Sequence, residues 1–191
     1  MSRTPHAVAL GEQVWFRVAD RSWTDPLDPT YADLHGGRWN TPGDGPTLYL
    51  NGDRDTARAQ VARMLAGTPI DVEDLREDAP YVLVSVTLPA RQRVADAVSE
   101  TGLTALGLPR TYPNRRDGSE VPWAACRRAA RSVRAVALRG VLARSAAATT
   151  GHELAWFPAR SARAVAVAEP EPFARWWHGE RAGAQASSSR M

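Results

Sequence analysis

Arg38, Tyr49 and Gln60 stand at equal steps along the chain, and the first of them sits in His35-Gly-Gly-Arg-Trp-Asn-Thr-Pro-Gly43. Arg38 carries a planar fork of donors that suits a phosphate or a carboxylate. Trp39 and Asn40 beside it add an aromatic face and an amide that both donates and accepts. The Gly-Gly pair lets backbone approach a ligand closely, because a residue without Cβ leaves room and takes positive φ. Thr47-Leu-Tyr-Leu50 reads as a brief strand that delivers Tyr49 to the same neighbourhood. Arg17, on the same strand face as Trp15, is a second candidate for an anionic ligand.

Those residues need elements to hold them. The spacing predicts a helix from about Asp53 to Ala66, capped by Asp53 or Asp55 and stopped by Gly67 and Pro69. At about 100° per residue, Ala57, Val61, Met64 and Leu65 share one face, and Gln60 projects between Ala57 and Met64. Gln60 is therefore inward, where an amide is either satisfied by neighbours or looks into a cleft.

Residues 1–12 carry Pro and Gly and read as a loose lead-in, and Gln13–Val18 reads as the first strand. Asp25–Tyr31 is a proline-stiffened loop of the kind that runs over a cleft. Tyr81–Leu88 is the clearest strand, apolar enough to be central. Arg91–Ser119 gives little signal beyond a short helix near Ala95. Val121-Pro-Trp123 opens a helix to about Val133, with Pro at a permitted early position. Gly140–Arg144 is a strand leading to Ser145, and Glu153–Phe157 is its hairpin partner after a turn at Thr149–Gly151. Arg163–Val167 reads as another short strand, Pro170–His178 as a last helical turn packed through Trp176 and Trp177, and the tail from Gly179 as disordered. The chain is thus an α/β protein of the α+β type, one domain spanning 13–178.

A chain of 191 residues with 43% hydrophobic content supports one domain with a real core. It has no run of eighteen apolar residues and no signal-peptide pattern, which points to a cytoplasmic protein without a membrane span. The lone Cys126 fits a reducing compartment and reads as a helix-packing position. All 24 basic residues are Arg, against 21 acids, and a net charge of +3 is far from a nucleic-acid binder's dense footprint. The local exception, Arg127, Arg131 and Arg134 on one helix face, either grips phosphates or is simply solvated. His6, His35, His152 and His178 have no ligand-like spacing, so no metal site is expected. No Gly-x-Gly-x-x-Gly follows a strand, so a Rossmann use of a dinucleotide finds no support.

Phe16-Arg17, Gly37-Arg38-Trp39-Asn40 with Pro42-Gly43, Leu48-Tyr49-Leu50, the following helix, and a later strand ending in Ser resemble the RES domain, over about Val14 to Val167. The resemblance implies a mixed sheet with flanking helices, as in ADP-ribosyltransferases. It also implies a bacterial toxin that degrades NAD⁺ and is silenced by a helix-turn-helix, Xre-like antitoxin. Arg38, Tyr49 and Ser145 then fall on the family's Arg, Tyr and Ser, while Gln60 stands where the family pattern has Glu. NAD⁺ would be substrate rather than a prosthetic group. Arg38, with Arg17, would hold the diphosphate, Tyr49 would line the nicotinamide pocket with Trp39 and Asn40 nearby, and Ser145 would donate to ribose or phosphate. Gln60 has the shape of the family Glu without its charge. Two outcomes follow: an NAD⁺-cleaving toxin, or a catalytically impaired binding protein that keeps the nucleotide or the antitoxin. A nucleic-acid-associated protein using the Arg127–Arg134 face is the third alternative.

Overall fold

The computed structural model describes residues 4–178, so the tail from Gly179 lies outside the described residues. Eight strands form one sheet in the order β1-β5-β6-β7-β3-β2-β4-β8. They are β1 (Ala7–Ala9), β2 (Trp15–Asp20), β3 (Leu48–Asn51), β4 (Tyr81–Thr87), β5 (Arg93–Ala97), β6 (Gly140–Arg144), β7 (His152–Trp156) and β8 (Val165–Ala166). Every neighbouring pair is antiparallel except β5 with β6, which makes the sheet mixed. The α-helices are α1 (Thr30–His35), α2 (Arg54–Leu65), α3 (Glu100–Ala105) and α4 (Trp123–Ala135), and a π-helix spans Ala174–His178.

α2 begins where the sequence puts it. The Asp53 side chain accepts from Thr56 N at 2.6 Å, satisfying one of the orphan donors of the first turn. Its buried stripe, Ala57, Val61 and Leu65, packs with Leu83, Phe173, Trp176 and Trp177. Met64 of the same turn is exposed. α4 starts directly after Pro122 and buries Cys126, Ala129, Ala130 and Val133 against Val141, Ala143 and Ala155 of the sheet. Small residues along that stripe let the helix lie close to the strands. On the opposite sheet face Trp15, Leu48, Leu50, Val84, Leu154 and Trp156 form a separate core.

Four readings are corrected. Residues 7–9 are no loose lead-in: β1 pairs with β5 through Ala7↔Ala95, Val8↔Val94 and Ala9↔Arg93. Ala95 accordingly lies in a strand and not in a helix, its extended backbone held by β1 on one side and β6 on the other. β4 is not central but next to the two-residue edge strand β8. It carries the apolar run Val82–Val84 and Val86 because both its faces are covered, Leu83 by the Phe173–Trp177 group and Val84 and Val86 by the core of the other face. Thr30 and Tyr31, read as loop, begin α1.

Candidate active site

β2 pairs with β4 along its whole length, but with β3 only through Phe16↔Asn51. Beyond that pair the two strands part, and a cleft of about 410 Å³ opens with Arg17 and Val18 on one side and Tyr49 on the other. That is within the ~300–1,000 Å³ usual for small-molecule sites. The Gly36–Arg38 turn, Gln60 and Arg63 of α2, Trp123 at the start of α4 and Glu153 of β7 are among the residues that line it.

Three guanidiniums border the cleft, and two of them, those of Arg17 and Arg38, are largely buried. Arg17 is 8% exposed, and among the described residues its Nε has no hydrogen-bond partner. The charge lies 5.7 Å from the Trp23 ring. Burial lowers its pKa to about 10, against the fields of Asp25 and Asp28, so it stays cationic at neutral pH. Arg38 is 8% exposed. Its Nη2 donates to Glu120 Oε2 at 3.1 Å, its Nη1 has no partner among the described residues, and its charge lies 5.9 Å from the Trp123 ring. Glu120 also accepts from Arg63. The Arg63 contact and then that of Arg38, opposed by partial burial, hold the Glu120 carboxyl below its ordinary value.

The loop that presents Arg38 is fixed from two directions. Tyr49 reaches it from β3: its hydroxyl accepts from Trp39 N at 2.8 Å and donates to Asn40 Oδ1 at 2.7 Å. Burial raises the Tyr49 pKa, keeping the hydroxyl protonated as a donor. A Cβ on Gly37 would fall 2.4 Å from the Tyr49 hydroxyl oxygen, so the glycine makes room for this tyrosine where the sequence suggested a ligand. From the other side comes the basic face of α4. Arg127 Nε donates to Gly37 O at 2.9 Å, Arg131 to Thr41 Oγ1 at 3.2 Å, and Arg134 to Gly45 O, Pro46 O and Thr47 Oγ1. These arginines clamp the loop through its own oxygens, where the sequence suggested either phosphate contacts or a solvated face.

Of the residues singled out in the sequence, Arg17, Arg38, Tyr49 and Gln60 meet at the cleft. Gln60 is half-buried there, as its helix position requires. Trp39, Asn40 and Ser145 are not among the residues that line it. The Trp39 ring is 1% exposed in the core, 5.8 Å from Tyr112. Asn40 is fully buried, its amide donating to Ala32 O and accepting from Tyr49. Both shape the loop from behind. Ser145 is 2% exposed: its Oγ donates to Glu153 Oε1 at 2.6 Å and accepts from Ala147 N and Ala148 N at 3.0 Å. Cys126 is buried, and burial pushes its thiol pKa up, which fits packing and not nucleophilic attack.

The residue that sequence reasoning missed is Glu153. It faces the cleft from β7, two positions from the Ala155 that pairs with Tyr49. The sequence shows a hairpin strand with a lone acid, Glu153, ahead of four apolar residues; that this acid lies beside the strand carrying Tyr49 follows only from the β3–β7 register. Among the described residues no group of His, Cys, Asp and Glu is arranged to hold a metal, and no helix is long and apolar enough to cross a membrane.

Comparison with known proteins places this architecture. No curated protein matches the chain. Among solved structures, a chain in the crystal structure of the M. tuberculosis MbcT–MbcA toxin–antitoxin complex has the same fold, with a TM-score of 0.67 at 19% identity over 90% of this chain and 91% of that one. The RES domain matches residues 14–180, nearly the whole of the strand and helix framework that builds the cleft. The chain belongs to the RES domain family.

Proposed function

We propose that this protein binds NAD⁺ in the cleft between β2 and β3, cleaves it at the nicotinamide–ribose bond, and serves in the cytoplasm as the toxin of a bacterial toxin–antitoxin pair. The observation that carries the reading is the pair of buried guanidiniums, Arg17 and Arg38, on one cleft that also offers the Tyr49 ring and the Gln60 amide. A buried cation is costly unless it is paired; Arg38 shares the partly exposed Glu120 with Arg63, and among the described residues Arg17 has no ion-pair partner, so the cavity that both border favours an anion. A diphosphate flanked by an aromatic base and sugar hydroxyls matches that lining. The nicotinamide of NAD⁺ is already cationic, so it departs neutral and needs no general acid. The demand is for an anion facing the sugar, since the transition state resembles an oxocarbenium ion. The antitoxin partner is supported by the setting of the structural neighbour, which is a toxin–antitoxin complex, and by the family resemblance, which suggests a helix-turn-helix protein.

Gln60 favours a second reading, that of a binding protein on the same fold which holds the nucleotide or the antitoxin without turnover. Expression in bacteria separates the two. The cleaving toxin depletes cellular NAD⁺ and arrests growth, and an Arg38→Ala chain does neither. Unchanged NAD⁺ pools at equal expression of the parent would favour the binding protein.

A further inference from the structure

We infer that Glu153 supplies the carboxylate that NAD⁺ cleavage requires and that Gln60 lacks. This rests on the NAD⁺-cleaving reading of the same cleft. The register of β7 with β3, Asn51↔Glu153 and Tyr49↔Ala155, puts the Glu153 and Tyr49 side chains on one sheet face. Both line the cleft. Arg17 and Arg38 line the same cleft, so the Glu153 carboxylate and the cations that would hold the phosphates share one cavity.

The carboxylate is held in place, not loose. Its Oε1 accepts from Ser145 Oγ at 2.6 Å and from Ala146 N at 3.1 Å. The Ser145 oxygen takes hydrogen bonds from Ala147 N and Ala148 N, so its only proton is directed at Glu153. Ser145 is therefore a positioning residue that acts through Glu153. Among the described residues no cation pairs with Glu153. Glu120, the other acid near the cleft, is consumed by Arg38 and Arg63. Of the two, only Glu153 has a charge left to face a substrate.

In the step this implies, the bond between ribose C1′ and the nicotinamide nitrogen breaks and its electron pair leaves on nitrogen, cancelling the pyridinium charge. The positive charge developing at C1′ is stabilised by the Glu153 carboxylate. Water then adds to C1′ and releases one proton, giving ADP-ribose and nicotinamide. Gln60, with no charge, contributes only a hydrogen bond to a ribose hydroxyl.

The test is single-turnover nicotinamide release by the purified chain, with NAD⁺ affinity measured separately by calorimetry. Glu153→Gln keeps shape and hydrogen-bond acceptors, and is expected to lower the rate by about 10²-fold or more while NAD⁺ affinity moves by less than about threefold. Ser145→Ala is expected to lower the rate by about tenfold at unchanged affinity, with recovery in Ser145→Thr, and it carries the test should Glu153→Gln not fold. Gln60→Glu is expected to change the rate by less than about tenfold, because the anion is already present. A Glu153→Gln chain as fast as the parent overturns the assignment. So does a parent that binds NAD⁺ without cleaving it and gains activity on Gln60→Glu. A parent that does not bind NAD⁺ at all removes the functional reading, and the assignment with it.

Discussion

The Arg38 guanidinium donates to Glu120 at 3.1 Å beside the cleft, so a fork well placed to take a phosphate already holds a carboxylate. Glu120 bridges Arg38 to Arg63 and is partly exposed. An incoming anion must compete with it. Glu120→Gln is therefore expected to tighten NAD⁺ binding by about two- to fivefold, the scale of a partly exposed ion pair. Calorimetric titration checks this, and weaker binding would show that Glu120 belongs to the binding surface.

The same contact has a pH signature. The Glu120 carboxyl is held below its ordinary value chiefly by Arg63 and then by Arg38, so the contact stabilises the fold above the unfolded glutamate pKa of about 4.3 and loses that contribution as pH falls through the lowered folded value. Melting curves of parent and Glu120→Gln are expected to differ at neutral pH and to converge in acid. A difference that persists at the lowest pH would mean that the glutamate acts through packing.

Arg38→Ala is expected to abolish measurable NAD⁺ binding while lowering the melting temperature by no more than about 5 °C, because Glu120 keeps Arg63 as its partner. Unchanged affinity in a titration would remove Arg38 from the site.

Tyr49→Phe separates scaffold from chemistry. The ring remains, but Trp39 N and Asn40 Oδ1 lose their partner in a buried setting. The expected cost is about 2–4 kcal/mol, or roughly 5–12 °C in a chain of this size. A variant that melts like the parent yet has lost turnover would show that the hydroxyl acts on the substrate.

Arg127, Arg131 and Arg134 are occupied with the Gly37–Thr47 loop, so duplex DNA is expected to show no measurable binding at physiological salt. A tight complex whose affinity falls steeply with salt would give these arginines a second role.

Local rules carried the sequence reading a long way. Asp53 as a cap, Gly67 and Pro69 as a stop and the Ala57–Leu65 stripe located α2, and with it Gln60 on the cleft. The β6–β7 hairpin was legible from its turn. What depended on distant partners was not. β1 is a strand only because β5 lies against it, and β5 carries too little alternation to be recognised alone. Trp39 and Asn40 stand beside Arg38 in the chain, yet one is buried toward Tyr112 and the other toward Ala32 and Tyr49. Glu153 escaped for the same reason. Its meaning comes from the β3–β7 register and from Ser145, eight residues earlier in the chain.

The most direct measurement is the release of free nicotinamide over time from NAD⁺ incubated with the purified protein, resolved by chromatography beside an Arg38→Ala control. NAD⁺ cleavage in the β2–β3 cleft requires nicotinamide to accumulate with the parent and not with the control. Equal, background release from both would contradict it.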